Sequence, residues 1–122
     1  MLERQVLTKV LSKLEILKKT GDVVWYRRLH NGLFYARNGT PVKMGYKKSL
    51  DDGQDLDIVV HVKCNDRIRI LHIDTKKTGK KTFDFEQKVF VKSMERREDV
   101  YCRIINDPKQ LQGIIKEIQN GN

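Results

Sequence analysis

The chain has 122 residues, a length that fits one domain, 1–122, with one modest core, and nothing in it resembles an interdomain linker. Its 25 Lys and Arg against 16 Asp and Glu give a net charge of +9, which favours an anionic partner and nucleic acid first. No apolar run approaches the roughly 18–20 residues that cross a bilayer, and no signal peptide begins the chain, so we expect a cytoplasmic protein without membrane contact.

The first half of the chain predicts one helix and one strand before an irregular stretch. Residues 2–18 place apolar side chains at spacings of three and four, which predicts an amphipathic helix that Gly21 ends. Residues 23–29 are rich in β-forming side chains and predict a strand. Residues 32–53 hold four of the eight glycines and several lysines, and we expect an irregular basic excursion there.

The second half predicts two paired strands followed by helix, strand and helix. Strand patterns at 57–62 and 68–76 are joined by a hairpin-sized connection, which favours antiparallel pairing. A helix is expected over 85–97, with Asp84 and Gln87 as an acidic capping box, then a strand over 100–105 and a helix opened by Pro108. The expected fold is α/β, a mixed central sheet flanked by helices in the order α-β-β-β-α-β-α.

The cysteines and histidines carry weak signals. Cys64 and Cys102 show no metal-ligand spacing, so we expect free thiols and no zinc site. His30, His61 and His72 suggest proton transfer, but a single strand histidine is more often a packed polar residue.

The strongest chemical signal is an acid at the start of one strand and another at the end of the next. If the two strands pair, Asp57, Asp74 and Lys76 converge at one end of the sheet. Carboxylates there suit Mg²⁺ or Mn²⁺, with the Thr75 carbonyl as a further ligand. Lys76 beside the ion can lower the pKa of an attacking water or stabilise the charge that builds on the phosphate. An acid two residues before a lysine is a poor signal alone, because Glu86 and Asp107 begin such triplets too, and the alternative is a solvated ion pair.

The order of these motifs resembles the PD-(D/E)XK nuclease superfamily and, within it, the VRR-NUC family. The resemblance rests on Asp57-Ile-Val-Val, then Ile73-Asp74-Thr75-Lys76, a Gly79-Lys80-Lys81 loop and Asp84-Phe-Glu86-Gln87 opening a helix. It covers nearly the whole chain and implies a restriction-endonuclease-like core. The family's proline before the strand aspartate is absent, which leaves Asp55 as the second choice after Asp57, and Asp74 stands where a glutamate is common.

The resemblance implies a metal-dependent DNA endonuclease that leaves 5′-phosphates. It implies that Glu3, with Glu15 as the fallback, joins Asp57, Asp74 and Thr75 as a metal ligand, and that Gln87 orients a water or phosphate beside its capping role. Stand-alone members of the family are as short as this chain and resemble Holliday-junction resolvases, so branched DNA and a homodimer are the expected substrate and assembly. A phage or bacterial setting is consistent with a minimal domain.

Basic side chains border the expected site on both sides in sequence. We expect them to neutralise DNA phosphates without reading sequence; they are Arg27, Arg28, Lys43, Lys47, Lys48, Lys77, Lys80 and Lys81. Tyr46 and Trp25 are candidates for stacking on an unpaired base, although the pattern around Trp25 favours a core position.

Two functions of other classes remain open from the sequence. One is a nucleic-acid-binding module of the same fold that does not cleave. The other is a small structural subunit whose basic surface binds an acidic protein.

Overall fold

Six strands and three helices follow one another in the computed structural model, which describes residues 1–29 and 56–121 together with the backbone of 32–35 and 41–44. The elements are α1 (Glu3–Thr20), β1 (Val23–Arg28), β2 (Gly32–Tyr35), β3 (Pro41–Met44), β4 (Ile58–Lys63), β5 (Ile68–Thr75), α2 (Phe85–Met94), β6 (Val100–Ile105) and α3 (Gln110–Asn120).

The central sheet has the strand order β1-β4-β5-β6 and is mixed, as predicted. β1 pairs with β4 and β4 with β5 in antiparallel fashion, whereas β5 and β6 run parallel. The short connection at residues 64–67 permits the antiparallel pair, and the crossover through α2 permits the parallel one. The expected α/β class with helices flanking a mixed sheet is confirmed.

The larger hydrophobic core lies between one face of this sheet and helices α1 and α3. Alternate residues of β4 and β5, among them Ile58, Val60 and Ile73, are fully buried there. Helix α1 contributes every third or fourth residue, and α3 contributes a stripe of the same spacing; the helical members are Val6, Val10, Leu14, Leu111, Ile115 and Ile118.

A smaller cluster lies on the opposite face, which we call the α2 face. It contains Leu56, Phe90 of α2 and Cys102 of β6, with Phe83, Val91 and Met94 packed against it. The residues between the core positions of β5 point to this face, and His72 contacts Phe90 there at 5.1 Å between ring centroids. Two helices therefore cover one face of the sheet, and a single helix covers part of the other.

Three sequence expectations need correction. Residues 32–53 are not wholly irregular, because Gly32–Tyr35 and Pro41–Met44 form a separate two-stranded antiparallel sheet. Helix α2 ends at Met94 rather than at residue 97. Helix α3 begins at Gln110, since the residues after Pro108 form i→i+3 turns before the helix is regular.

Trp25 is not a core residue, contrary to the expectation from the sequence. Its side chain is 39% exposed. The pairing of β1 with β4 is irregular between Val23 and Trp25, so the simple alternation of the strand is broken there. Both cysteines are free thiols, as expected, with Cys102 buried and Cys64 half-buried. Among the helices in the described part of the chain, none is long and apolar enough to span a membrane.

Candidate functional site

The two predicted acids lie at neighbouring strand ends. Ile58 pairs with Ile73, so Asp57 directly precedes β4 at the point where β5 ends. Asp57 Oδ2 accepts hydrogen bonds from the Thr75 backbone N–H at 2.9 Å and from Thr75 Oγ1 at 2.8 Å. The convergence predicted from the hairpin is therefore present, and Asp57 is fixed by the last residue of β5.

Asp74 is buried and its carboxyl group is only partly satisfied. The residue is 1% exposed, and its Oδ1 accepts a hydrogen bond from Gln87 Nε2 at 2.8 Å. Lys76 Nζ lies 2.9 Å from Oδ2 as an ion pair, which is the contact that this buried oxygen makes among the described residues. Burial, with the Asp57 charge beside it, raises the pKa of Asp74 to about 7 even though Lys76 opposes the shift.

Lys76 occupies the centre of the site. It is 4% exposed, and its Nζ donates to Gln87 Oε1 at 3.1 Å and to Asp84 Oδ2 at 3.2 Å while pairing with Asp74. Burial lowers the pKa of Lys76, but the carboxylates of Asp74 and Asp84 raise it by more, and the net direction is upward. Lys76 therefore remains an ammonium at neutral pH although it is almost enclosed.

The first turn of α2 supplies the remaining polar groups. Gln87 Oε1 accepts from the Asp84 backbone N–H at 3.0 Å, which is the Gln half of the predicted capping box. The same side chain bridges Asp74 and Lys76, so the capping and site positions expected for Gln87 coincide. Its role towards water or phosphate stays a prediction.

Asp84 belongs to the site although the sequence suggested only a cap. Its carboxylate accepts from Lys76 and, at 3.2 Å, from Lys80, and these two ammonium groups lower its pKa. Its side chain is 61% exposed, so it lies at the solvent edge of the site. The signal that indicates Asp84 is an acidic N-cap eight residues after the site lysine.

Glu3 does not complete a three-acid metal site. Helix α1 begins near the loop that follows Lys76, because Met1 and Thr78 exchange two hydrogen bonds. Glu3 itself is exposed in the first turn, however, and α1 packs on the face away from Asp74. No group of three His, Cys, Asp or Glu side chains suited to a metal occurs within residues 1–29 and 56–121.

Glu15, the fallback ligand, has a structural contact instead. It accepts a hydrogen bond from the Tyr26 hydroxyl at 2.7 Å, and this bond is the main reason that the pKa of Tyr26 is raised. Glu15 lies 12 residues beyond Glu3 on α1, which is roughly 18 Å along a helix. It ties α1 to β1 and lies away from the site.

Several predicted residues lie outside the part of the chain that is described. They are Asp55, Lys47, Lys48, Tyr46 and His30. Lys43 is placed in β3 by its backbone alone. Of the basic residues that are described, Lys77 and Lys81 are exposed in the loop before α2, and Lys80 is half-exposed and paired with Asp84.

The two arginines of β1 are both exposed but lie on different faces. Arg27 pairs with Val59 and therefore shares the α2 face, whereas Arg28 pairs with the core residue Ile58. Of the histidines, His72 is packed against Phe90, and burial, followed by the His61 charge, lowers its pKa to about 4. His72 is thus a packed residue that is neutral at pH 7, and not a candidate for proton transfer.

The site as a whole combines two adjacent carboxyl groups, one enclosed ammonium and one bridging amide. Such a set can bind a hard cation through oxygen atoms and present a positive group to an anion beside it. Comparisons of the chain with protein-family models, with curated proteins and with solved structures find no match.

Proposed function

We propose that this protein is a divalent-metal-dependent DNA endonuclease that hydrolyses phosphodiester bonds at the Asp57–Asp74–Lys76 site. The observation that carries the proposal is the geometry, in which Asp57 and Asp74 lie at neighbouring strand ends and the Lys76 ammonium lies 2.9 Å from Asp74 Oδ2. Burial, followed by the charge of Asp57, raises the pKa of Asp74 to about 7. Carboxyl groups with a strongly perturbed pKa beside a specific charge partner are common at functional sites.

The residues present fit Mg²⁺, with Mn²⁺ as a substitute. Asp57 and Asp74 would hold the ion, with the Thr75 carbonyl as a third oxygen ligand. Mg²⁺ is commonly bound by only one or two carboxylates, the rest being water and substrate phosphate, so a third acid is not required. The buried Asp74 Oδ2 makes no regular hydrogen bond but is ion-paired with Lys76 Nζ at 2.9 Å, so a bound cation would share this oxygen with the ammonium. When bound, the ion would polarise the phosphodiester and acidify a water molecule.

Lys76 has the position and charge to stabilise a phosphate. Its ammonium is held by Asp74, Asp84 and Gln87 in a poorly solvated setting, where a fixed charge acts more strongly than in water. Asp84 is mostly exposed, so a phosphate oxygen that displaces its carboxylate would meet both Lys76 and Lys80. The chain would therefore hold the Lys76 ammonium where negative charge develops on the phosphate.

The resemblance to the VRR-NUC family and the charge of +9 support DNA as the substrate. Branched DNA, such as a Holliday junction, is the specific substrate that we propose, and a homodimer with two sites is the matching assembly because two strands are cut. A 5′-phosphate product follows from the same resemblance.

The test is cleavage of labelled four-way junction, flap, single-stranded and linear duplex DNA with Mg²⁺, Mn²⁺ or EDTA. Asp74→Asn should abolish cutting, with a loss on the order of a hundredfold or more, and keep or strengthen DNA binding. Asp107→Asn is the matched control, because Asp107 begins the same acid-x-Lys triplet but is exposed. Absence of metal-dependent cutting of every substrate by the wild-type protein would refute the proposal.

A second candidate is a nucleic-acid-binding module of the same fold without catalysis. It is favoured by the absence of a third acid beside Asp57 and Asp74 among residues 1–29 and 56–121, and by the ion pairs that hold Lys76 in place. In that case the wild-type protein binds DNA, and neither metal nor Asp74→Asn changes the length of the DNA.

A further inference from the structure

Trp25 is an exposed aromatic residue that the proposed chemistry does not use. It is the single tryptophan of the chain, and 39% of its surface remains accessible. An indole that keeps more than a third of its surface accessible can contact a partner with an aromatic or apolar face.

The strand register places Trp25 on the same face of the sheet as the proposed active site. Trp25 pairs with His61, and Arg27 pairs with Val59, which in turn pairs with His72. Directly opposed residues share a face, and His72 precedes Asp74 by two positions on β5. Trp25, Arg27 and Asp74 therefore lie on the α2 face.

The position of α2 leaves the Trp25 end of that face accessible. Phe90 of α2 contacts His72 of β5, and the helix packs mainly against β6, at the other edge of the sheet. β1 and β4 lie beyond it, with Trp25 and Arg27 exposed and His61 half-buried.

The indole is held in a defined orientation by His61. The two rings make an edge-to-face contact, with centroids 4.8 Å apart and planes at 63°. Arg27, two residues along β1 towards the end of the strand near Asp57, adds an exposed guanidinium on the same face. An oriented ring beside a cation is the arrangement that binds a base through stacking and its phosphate through charge.

The spacing to the active site suits one nucleic-acid strand. His61, beside Trp25, is four residues from Asp57, which is roughly 13 Å along a strand at 3.3 Å per residue. A few nucleotides cover this distance. We propose that Trp25, oriented by His61 and flanked by Arg27, is a stacking platform for an unpaired base of the DNA strand that enters the Asp57–Asp74–Lys76 site.

The role of the platform in guiding a strand to be cut rests on the proposed function, whereas base stacking itself does not. Paired bases inside a duplex present no free ring face, so the platform selects substrates with unpaired nucleotides. We therefore assign Trp25 a role in substrate selection and not in bond cleavage.

The test uses the single tryptophan as its own probe, with EDTA present so that no cleavage occurs. Titration of the wild-type protein with single-stranded oligothymidylate should quench its fluorescence, and a blunt duplex of equal length should quench it far less. Anisotropy of labelled oligonucleotide then gives the affinity of each variant. Trp25→Phe should keep most of the affinity, and Trp25→Ala should lose about tenfold for single strands.

Ile16→Ala is the control, because Ile16 is 61% exposed on α1, which packs on the opposite face of the sheet. Saturating single-strand binding without quenching, or equal affinity of Trp25→Ala and wild type, overturns the platform. Quenching in a protein that cuts nothing with Mg²⁺ or Mn²⁺ supports the platform and refutes the nuclease. If the wild-type protein cuts DNA but Trp25→Ala loses no affinity for single strands, the nuclease is supported and the platform is refuted.

Discussion

Gln87 joins three parts of the site through a single amide. It receives the Asp84 N–H and the Lys76 ammonium at its oxygen and donates to Asp74 from its nitrogen. Because it is 6% exposed, water cannot replace these bonds freely. A buried amide with three defined partners fixes the relative positions of the acid and the lysine more firmly than their ion pair alone.

Replacing Gln87 should therefore cost more than the loss of a cap. We expect Gln87→Ala to lower the free energy of unfolding by about 2–3 kcal/mol, since it leaves buried partners unsatisfied. Gln5→Ala is the matched control, because Gln5 makes the equivalent capping bond to Leu2 N at 2.9 Å in an exposed position. Its expected cost is about 0.5–1 kcal/mol. Urea unfolding of both variants measures the difference, and equal costs would show that the bridge contributes nothing.

His72 should make the protein sensitive to mild acid. Its folded pKa is about 4, against 6.5 for the ordinary side chain, so between these values the unfolded chain binds a proton that the folded chain does not. This part of the stability is complete above pH 6.5 and declines as the pH falls towards 4. We expect His72→Phe to remove a decline on the order of 1–2 kcal/mol.

The measurement is the difference between wild-type and variant unfolding curves across pH 4 to 7. The difference is needed because Asp74, whose folded pKa is raised, changes stability in the opposite direction over the same range. His61→Gln is the control and should keep most of the decline, since burial is the larger cause of the His72 shift. A His72→Phe curve parallel to that of the wild type would contradict the assignment.

At the scale of elements, α1 ends at a residue with a left-handed backbone. Gly21 has φ +94°, and its N–H reaches the carbonyls of Leu17 and Lys18, which closes the last turn before β1 starts. Nothing lies within 4 Å of a Cβ built at this position, so the requirement for glycine is a matter of backbone conformation and not of space.

Two glycine substitutions should accordingly have opposite signs. Gly21→Ala should lower the free energy of unfolding by about 1 kcal/mol, because alanine disfavours a positive φ. Gly113 lies inside α3 with ordinary helical backbone and open space around its Cβ, so Gly113→Ala should raise it by about 0.5–1 kcal/mol. Thermal unfolding of both variants gives the comparison, and a stabilised Gly21→Ala protein would show that the cap is unimportant.

Charge acts at the scale of the whole molecule. The lysines of the loop before α2 lie beside the site, whereas others, such as Lys116 on α3, are exposed on the opposite layer. The net charge of +9 counts all lysines alike. The proposal that the loop neutralises DNA phosphates predicts that the loop lysines contribute to DNA affinity and that lysines such as Lys116 do not.

DNA affinity should fall steeply with salt, and the loop should account for part of the slope. We expect the double substitution of Lys77 and Lys81 by Ala to reduce the slope of log K against log salt by about 1–2, near 0.9 per phosphate contact. Lys116→Ala should leave the slope unchanged. Anisotropy titrations from low to high salt measure it, and a flat dependence for the wild type would favour a protein partner over DNA.

The parts of the molecule that were predictable are those with a strong period. The alternation through Ile58, Ile73 and Asp74, with the short connection between the strands, predicted the hairpin and the approach of the two acids. Trp25 was misplaced because the irregular pairing at the start of β1 breaks the alternation on which the prediction depended. The position of Glu3 depends on how α1 crosses the end of the sheet, which no local pattern encodes.

The same distinction between local pattern and tertiary packing applies to Asp84 and Gln87. Both are recognisable as capping residues, because caps obey local rules. Their contacts to Lys76 arise from the return of α2 over the end of β5, a tertiary arrangement. The sequence indicates the order of the pieces, and the packing decides which of their side chains meet.

Successive residues of strand β5 contribute to the hydrophobic core and to the proposed site in turn. Ile73 packs the sheet against the helices behind it, and the next residue, Asp74, faces the proposed site, so the two roles differ by a single step along the backbone. A shift of one residue in the pairing of β5 would exchange every such position, placing charge among aliphatic groups and isoleucine among the polar groups of the site. Any insertion between β4 and β5 must therefore be accommodated in the turn, because otherwise the proposed site and the hydrophobic core would be disrupted together.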